Sequence, residues 1–413
     1  MWPVLMPCHR VQDRHYGWIV VAALSVTETI SWGILYYGFP VFLRALEADL
    51  RASTVGVTGA LSLALGVSAL AALPVGRWID RRGPRVLMTA GSCLGAGMLL
   101  AWSRVGSLHH LYVVWGMMGI AMACTLYEPA FAAVVQWFAR HRDRALLIVT
   151  LAAGLASTIF MPLEGWLLAR FGWRRAVEIL AFGLAATTIP IHALVLRPAP
   201  PHVPTEARGV DRPSDSIPLR AAMSTGVFWA LAGAFAVSAF ATVAITVHLI
   251  PYLIQRGYAP AFAAVIVGWI GAMQLLGRAL FAPVAAWLGP RTVTASTFLV
   301  QGGAIALLAV VARVQGLIPV IALLGAANGM STLARASSVA EVFGRRHYGS
   351  ISGAIAIGAN GSRALAPVGA ALLQVWLGGY THVFWTLAGA LILAGLAVLV
   401  AEFSPVARQS VRQ

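Results

Sequence analysis

The sequence predicts an all-α integral membrane protein, with twelve transmembrane helices arranged as two pseudo-symmetric halves of six. Three observations carry that expectation. Hydrophobic residues make up 59% of the 413 and charged residues only 10%, against about 25% charged in soluble domains. Apolar runs near the ~20 residues needed to cross a hydrocarbon core recur along the whole chain. Short patterns of the first half return in the second half in the same order.

The runs of the first half lie at 16–43, 54–76, 85–103, 110–137, 145–169 and 175–197. Charge or turn clusters separate them: Glu47 to Arg51, then Gly83-Pro84, then Arg104 to Gly106, then Arg140 to Arg144, then Arg170 to Arg175. The runs of the second half lie at 223–255, 260–288, 291–313, 316–343, 348–377 and 380–402. Arg256-Gly257, Gly289-Pro290, Arg313, Arg345-Arg346 and Gly378-Gly379 punctuate these. Between the halves, Pro198, Pro200, Pro201, Pro204, Pro213 and Pro218 mark a polar, proline-rich stretch that reads as a linker. The chain therefore divides into an N-terminal segment 1–15, a half 16–197, a linker 198–222, a half 223–402 and a tail 403–413.

All 29 basic residues are arginine, and the net charge is +15. A charge of that size can signal nucleic-acid binding, but that needs a basic face on a soluble domain, and the pattern offers none. With the N-terminus inside, 18 arginines fall on the cytoplasmic side and 8 on the external side. This bias places both termini in the cytoplasm, and a bacterial inner membrane is the expected location. Cys8, Cys93 and Cys124 are too scattered for a disulfide framework or a metal cluster. The first run is too long for a cleavable signal.

The duplication is specific. Pro74-Val75, Trp78-Ile79 and Gly83-Pro84-Arg85 return as Pro283-Val284, Trp287-Leu288 and Gly289-Pro290-Arg291, without counterparts of Asp80, Arg81 and Arg82. Phe138, Arg140 and Pro162 return as Phe343, Arg345 and Pro367.

The loop between the second and third runs carries Gly76, Asp80, Arg81, Gly83 and Arg85 in the pattern Gly-x3-Asp-Arg-x-Gly-x-Arg. Arginine-rich cytoplasmic loops are common, but the glycine and aspartate spacing resembles the loop signature of the major facilitator superfamily. That resemblance implies two parallel six-helix halves with substrate near the midplane between them. It also implies a monomer working in the lipid bilayer without a cofactor. The motif then reads as a gate. Asp80 is expected near the start of the eleventh run, around Tyr348 to Ser350, where free backbone N–H groups and the helix dipole favour a carboxylate.

Ionised groups inside a membrane span are costly and call for a reason. Arg278 sits in the eighth run, Arg363 in the eleventh and Arg335 in the tenth; Glu28, Glu128 and Glu164 sit in the first, fourth and fifth. Ion pairs tying helices together are one reading. The other is an anion site, because arginine stays charged and grips carboxylates with a two-donor fork. Two arginines in one half are hard to neutralise with glutamates of the other half, which favours the anion site. Glu28 and Glu128 are candidates for carrying a proton. Glu164 follows Pro162 near the external end and reads as structural, and His248 reads as an interfacial residue.

Beyond the loop, the chain resembles the monocarboxylate and oxalate–formate exchanger branch. Its first run opens Asp13-Arg14-His15-Tyr16-Gly17-Trp18 and continues from Ser31-Trp32-Gly33 through Tyr36-Tyr37-Gly38 to Phe39-Pro40. Gly277-Arg278 matches the branch's carboxylate-binding arginine, and Arg363 falls where the oxalate exchangers carry a second basic residue. Gln274, Asn360 and Tyr36 complete the expected substrate-binding set. Two positions depart from the branch: Val41 replaces a lysine and Gln274 replaces an aspartate. Both are implicated in proton coupling there, so coupling here would fall to Glu28 or Glu128.

The implied function is secondary active transport of a small organic anion, monocarboxylate- or dicarboxylate-like, by alternating access, proton-coupled or by exchange. An exporter of an amphipathic drug or metabolite is the alternative. It is favoured by Trp32, Tyr36, Tyr37 and Tyr127, although Gly154 to Gly165 does not match the exporters' fifth-helix motif. A non-transporting sensor would normally add a signalling domain, and only eleven residues follow Glu402. No nucleophile–base or metal-ligand arrangement suggests an enzyme.

Overall fold

The computed structural model describes residues 8–138, 142–197, 217–311, 313–343 and 348–403, and among them every regular element is a helix. This is what hydrocarbon demands: without water to bond exposed N–H and C=O groups, a span must satisfy its backbone within itself. The first half runs α1 (Cys8–Ser31), a π-helical segment (Trp32–Tyr37), α2 (Gly38–Leu50), α3 (Thr54–Arg82), α4 (Pro84–Trp102), α5 (Leu108–Thr125), α6 (Tyr127–Trp137), α7 (Arg142–Gly154) and α8 (Ala156–Leu194). The second runs α9 (Leu219–Met223), α10 (Gly226–Gln255), α11 (Pro260–Leu288), α12 (Pro290–Val310), α13 (Val314–Phe343), α14 (Tyr348–Leu377) and α15 (Tyr380–Phe403).

Ten stretches among the described residues are long and apolar enough to cross a membrane, where the sequence suggests twelve. Two features account for the difference. One stretch, Arg144–Leu194, is 51 residues long and contains Gly172 at φ 74° and ψ 163°, a break that falls between the fifth and sixth expected runs. The other is α14, thirty residues long, which holds too many glycines and polar residues, Asn360, Ser362 and Arg363 among them, to count by hydropathy alone. Residues 198–216, most of the expected linker, lie outside the described set, as do residues 1–7 and the tail beyond 403.

The chain separates into two compact units, one of residues 1–52 and 63–207 and the other of 53–62 and 208–413. The start of α3 thus belongs with the second unit, where the Val368 N–H donates to Ser62 Oγ at 3.1 Å.

In the first unit, the π segment lies on α8. A Cβ at Gly33 would overlap the Phe160 ring, and one at Gly38 would stand 2.9 Å from Glu164 Oε1. Glycine at these two places lets the segment seat against α8 at backbone distance. One end of the unit is stitched by Arg174, just past the Gly172 break. Its guanidinium meets Asp49 Oδ2 at 2.6 Å and donates to the carbonyls of Ser103 at 2.8 Å and Val105 at 2.9 Å. Five donors on a rigid fork suit one residue to three partners, one on α2 and two in the loop after α4. Deeper in, Ser92 Oγ and His192 Nδ1 lie 2.8 Å apart and join α4 to α8.

In the second unit, α11 packs on α13, α10 on α14 and α12 on α15. Apolar lipid gives helices no hydrophobic reason to associate, so close van der Waals packing at small residues carries the work. Between α11 and α13 the small residues are Gly277, Gly325 and Gly329. A Cβ at Gly277 would overlap the Ala326 carbonyl, one at Gly329 the Gln274 carbonyl, and one at Gly325 would stand 2.7 Å from the Ile270 carbonyl.

His248 on α10 is buried, 1% exposed. Its Nε2 lies 2.9 Å from the Pro367 carbonyl of α14 and its Nδ1 3.1 Å from Tyr380 Oη of α15. The carbonyl can only accept, so Nε2 carries the proton and Nδ1 accepts from the tyrosine.

Two outcomes follow for folding. Gly325→Val overpacks the α11–α13 contact and lowers stability by about 1–3 kcal/mol, whereas Gly389→Val, with no atom within 4 Å of an added Cβ, leaves it unchanged; thermal unfolding in detergent compares them. His248→Ala removes a buried ring bonded to both α14 and α15 and lowers stability by about 1–3 kcal/mol. The same melts measure the loss against the wild type.

Candidate functional site

The expected substrate-binding residues fall in both units. In the second, Arg278 lies on α11, half-buried, with Nε enclosed. It follows Gly277, so α13 backbone packs against the turn that carries it. Gln274, one turn earlier, is half-buried, with its backbone carbonyl against Gly329. Asn360 and Arg363 lie on α14 and are exposed within the unit. Pro367 has no N–H to offer the Arg363 carbonyl, so the helix ladder is open at this residue. Arg278 and Arg363 sit on helices that pack chiefly on other partners, α13 and α10 respectively.

In the first unit, Tyr36 is buried within a ring cluster. A turn closed from i to i+5 brings both Tyr36 and Tyr37 over Trp32, with centroids 5.3 Å and 6.5 Å away. Tyr127, at the start of α6, adds a ring 4.9 Å from Trp32 and another 4.9 Å from Phe131. The break between α5 and α6 at Leu126 positions Tyr127, because Leu126 is extended, with φ −86° and ψ −162°.

The glutamates part company. Glu28 is 0% exposed, and the Trp32 indole one turn on is the side chain that faces its carboxylate. Glu128, by contrast, is exposed. Glu164 is fully enclosed, 0% exposed with both oxygens unbonded, because Gly38 lets the first helix close over it.

In the loop motif, Gly83 adopts φ 74°, a left-handed conformation suited to glycine, and Pro84 opens α4 at its first position. Gly76 has no neighbour within 4 Å of an added Cβ. Arg81 and Arg85 are exposed, and the Asp80 side chain lies outside the described residues.

Sequence reasoning missed a buried polar network in the second unit. Ser238 on α10 donates to Gln301 Oε1 on α12 at 2.8 Å. Gln301 Nε2 donates to Thr242 Oγ1 at 3.0 Å and to Asn328 Oδ1 on α13 at 2.7 Å, and Thr242 donates to the same Oδ1 at 3.3 Å. The only signal in the sequence is four short polar side chains scattered over three apolar runs. Among the described residues, no group of three or more His, Cys, Asp or Glu could hold a metal.

Comparison with known proteins places this geometry. Residues 21–268 match the family profile of the Major Facilitator Superfamily. Monocarboxylate transporter 13 of Rattus norvegicus is 29% identical over 403 residues, covering 95% of this chain and 90% of that protein. Monocarboxylate transporter 11 of Mus musculus is 29% identical over 356 residues, covering 80% and 74%. Among solved structures, a bacterial homolog of the human lysosomal transporter Spinster, inward-facing and unoccupied, superposes with a TM-score of 0.73 at 14% identity, covering 96% of this chain and 98% of that one. The relatives are transporters rather than enzymes, and this multi-pass membrane chain, related to the monocarboxylate transporters, belongs to the major facilitator superfamily.

Proposed function

We propose that the protein is a secondary active transporter that moves a small organic anion, monocarboxylate- or dicarboxylate-like, by alternating access. Arg278 carries this reading. It sets a permanent cation, half-buried, in an apolar helix directly after a glycine against which a neighbouring backbone packs, and its planar two-donor fork matches a carboxylate. The similarity to monocarboxylate transporters over nearly the whole chain supports the same substrate class. Arg278 would anchor the carboxylate through its planar fork, Arg363 would supply a second cation, and Gln274, Asn360 and Tyr36 would complete the set. The location proposed is a bacterial inner membrane with both termini cytoplasmic, the protein acting as a monomer.

The ring cluster of Trp32, Tyr36, Tyr37 and Tyr127 favours a second reading, export of an amphipathic metabolite, since aromatic faces suit a flat apolar body. Proteoliposomes containing only this chain separate the two. Loaded with lactate or oxalate and offered the labelled form outside, they exchange label on the anion reading and not on the other. Arg278→Lys keeps the charge but loses the fork, and exchange falls at least about tenfold. Exchange at the wild-type rate in Arg278→Lys and in Arg278→Ala overturns the assignment.

Proton coupling, where present, is assigned to Glu28, the enclosed member of the pair Glu28 and Glu128. Glu28→Gln then keeps exchange of anion for anion and loses accumulation driven by a pH gradient, measured in the same vesicles. Undiminished accumulation makes Glu28 a structural group.

A further inference from the structure

The hydrogens of the Ser238–Gln301–Thr242–Asn328 network can be counted. The Ser238 hydroxyl goes to Gln301 Oε1. Both Gln301 amide hydrogens are used, on Thr242 and on Asn328. The Thr242 hydroxyl goes to Asn328 Oδ1, whose two lone pairs are then filled. The two hydrogens of Asn328 Nδ2 are what remains. They find no acceptor among the described residues, and the atom is not enclosed, the residue keeping 7% of its surface.

The opposite setting, with both amides turned over, leaves a different remainder. Gln301 would then point Nε2 at Ser238, whose hydroxyl is the side-chain acceptor on that side. One of its two hydrogens would stay unbonded in a residue that is 0% exposed. An enclosed donor without a partner is penalised, whereas an outward Nδ2 is not. The network therefore orients Asn328 with its donor outward.

The surroundings match that purpose. Asn328, Thr332 and Arg335 recur at the i, i+4, i+7 spacing of one helix face on α13. Asn328 precedes Gly329, whose backbone meets the Gln274 carbonyl, so it stands at the height of the turn before Arg278. By the duplication, α10 and α13 are the counterparts of the first and fourth spans, which carry Glu28 and Glu128.

We propose that Asn328 is a substrate-contacting residue, held donor-outward by Gln301, Thr242 and Ser238, and that its Nδ2 takes a carboxylate or carbonyl oxygen of the transported anion. This rests on the anion-transport reading above, and deepens it by adding a neutral donor at the height of the turn that precedes Arg278. Gln301 acts through Asn328 and is a positioning residue.

The test uses the full chain in proteoliposomes with labelled lactate and labelled oxalate. Asn328→Asp is nearly isosteric and keeps an acceptor for Gln301 and Thr242, but turns an acceptor toward the anion. KM rises about tenfold or more while the thermal midpoint and maximal rate change little. Gln301→Leu leaves Asn328 in place but unheld, and raises KM by a smaller factor. Should Asn328→Asp fail to fold, Asn328→Ser, smaller and neutral, is measured in its place with the same expectation for KM. Wild-type KM in a folded Asn328 variant, with exchange by the wild type intact, overturns the role of Asn328 and leaves the transport reading standing. Absence of exchange by the wild type for every small carboxylate tried overturns both.

Discussion

Every polar group placed in hydrocarbon must find its partner inside the protein, and that constraint shapes the rest of this structure. Backbone groups meet it by helix formation, so the described residues form helices throughout. Where the ladder is interrupted, other groups step in. Arg174 gathers the carbonyls of Ser103 and Val105 where α4 ends. The Gln301 side chain follows the same rule, its oxygen and both amide hydrogens being bonded.

Against that background, ionisable groups set inside apolar helices stand out. Glu28 and Glu164 are enclosed, a costly arrangement for a carboxylate carrying its charge. Arg278 and Arg363 place permanent cations on long apolar helices. Stability alone would remove such residues, so their presence in a transporter of this family is an argument for use. The glycines of the α11–α13 contact serve the same end differently: they bring backbones together so that the Arg278 turn is held rigidly.

Much of the fold was legible in the sequence because the solvent is uniform: a run of about 20 apolar residues has few alternatives. The expected starts of α3 and α11 agree with the observed helices to the residue. The break at Gly172 was visible as a charged interval between two runs. What escaped depends on contacts between distant segments. The first helix extends to Leu50 through a π turn that no period announces, and Glu164 is enclosed only because Gly38 admits it. Of the candidate site, the arginines were legible as misplaced charges. Asn328 was not, since Ser238, Thr242, Gln301 and Asn328 become a unit only when α10, α12 and α13 meet.

The π turn of Trp32–Tyr37 also acts as a phase shift. A turn closed from i to i+5 holds one residue more than an α turn, which at 3.6 residues per turn offsets everything after it by about 100°. The segment from Gly38 to Leu50 therefore presents a different side than an unbroken helix would. The extra residue turns Gly38 toward Glu164 and sets the direction in which Phe39, Phe42 and Leu43 enter their buried positions. Deleting a single residue from the bulge would rotate that whole outer segment, swapping its buried side for an exposed one without altering its composition at all.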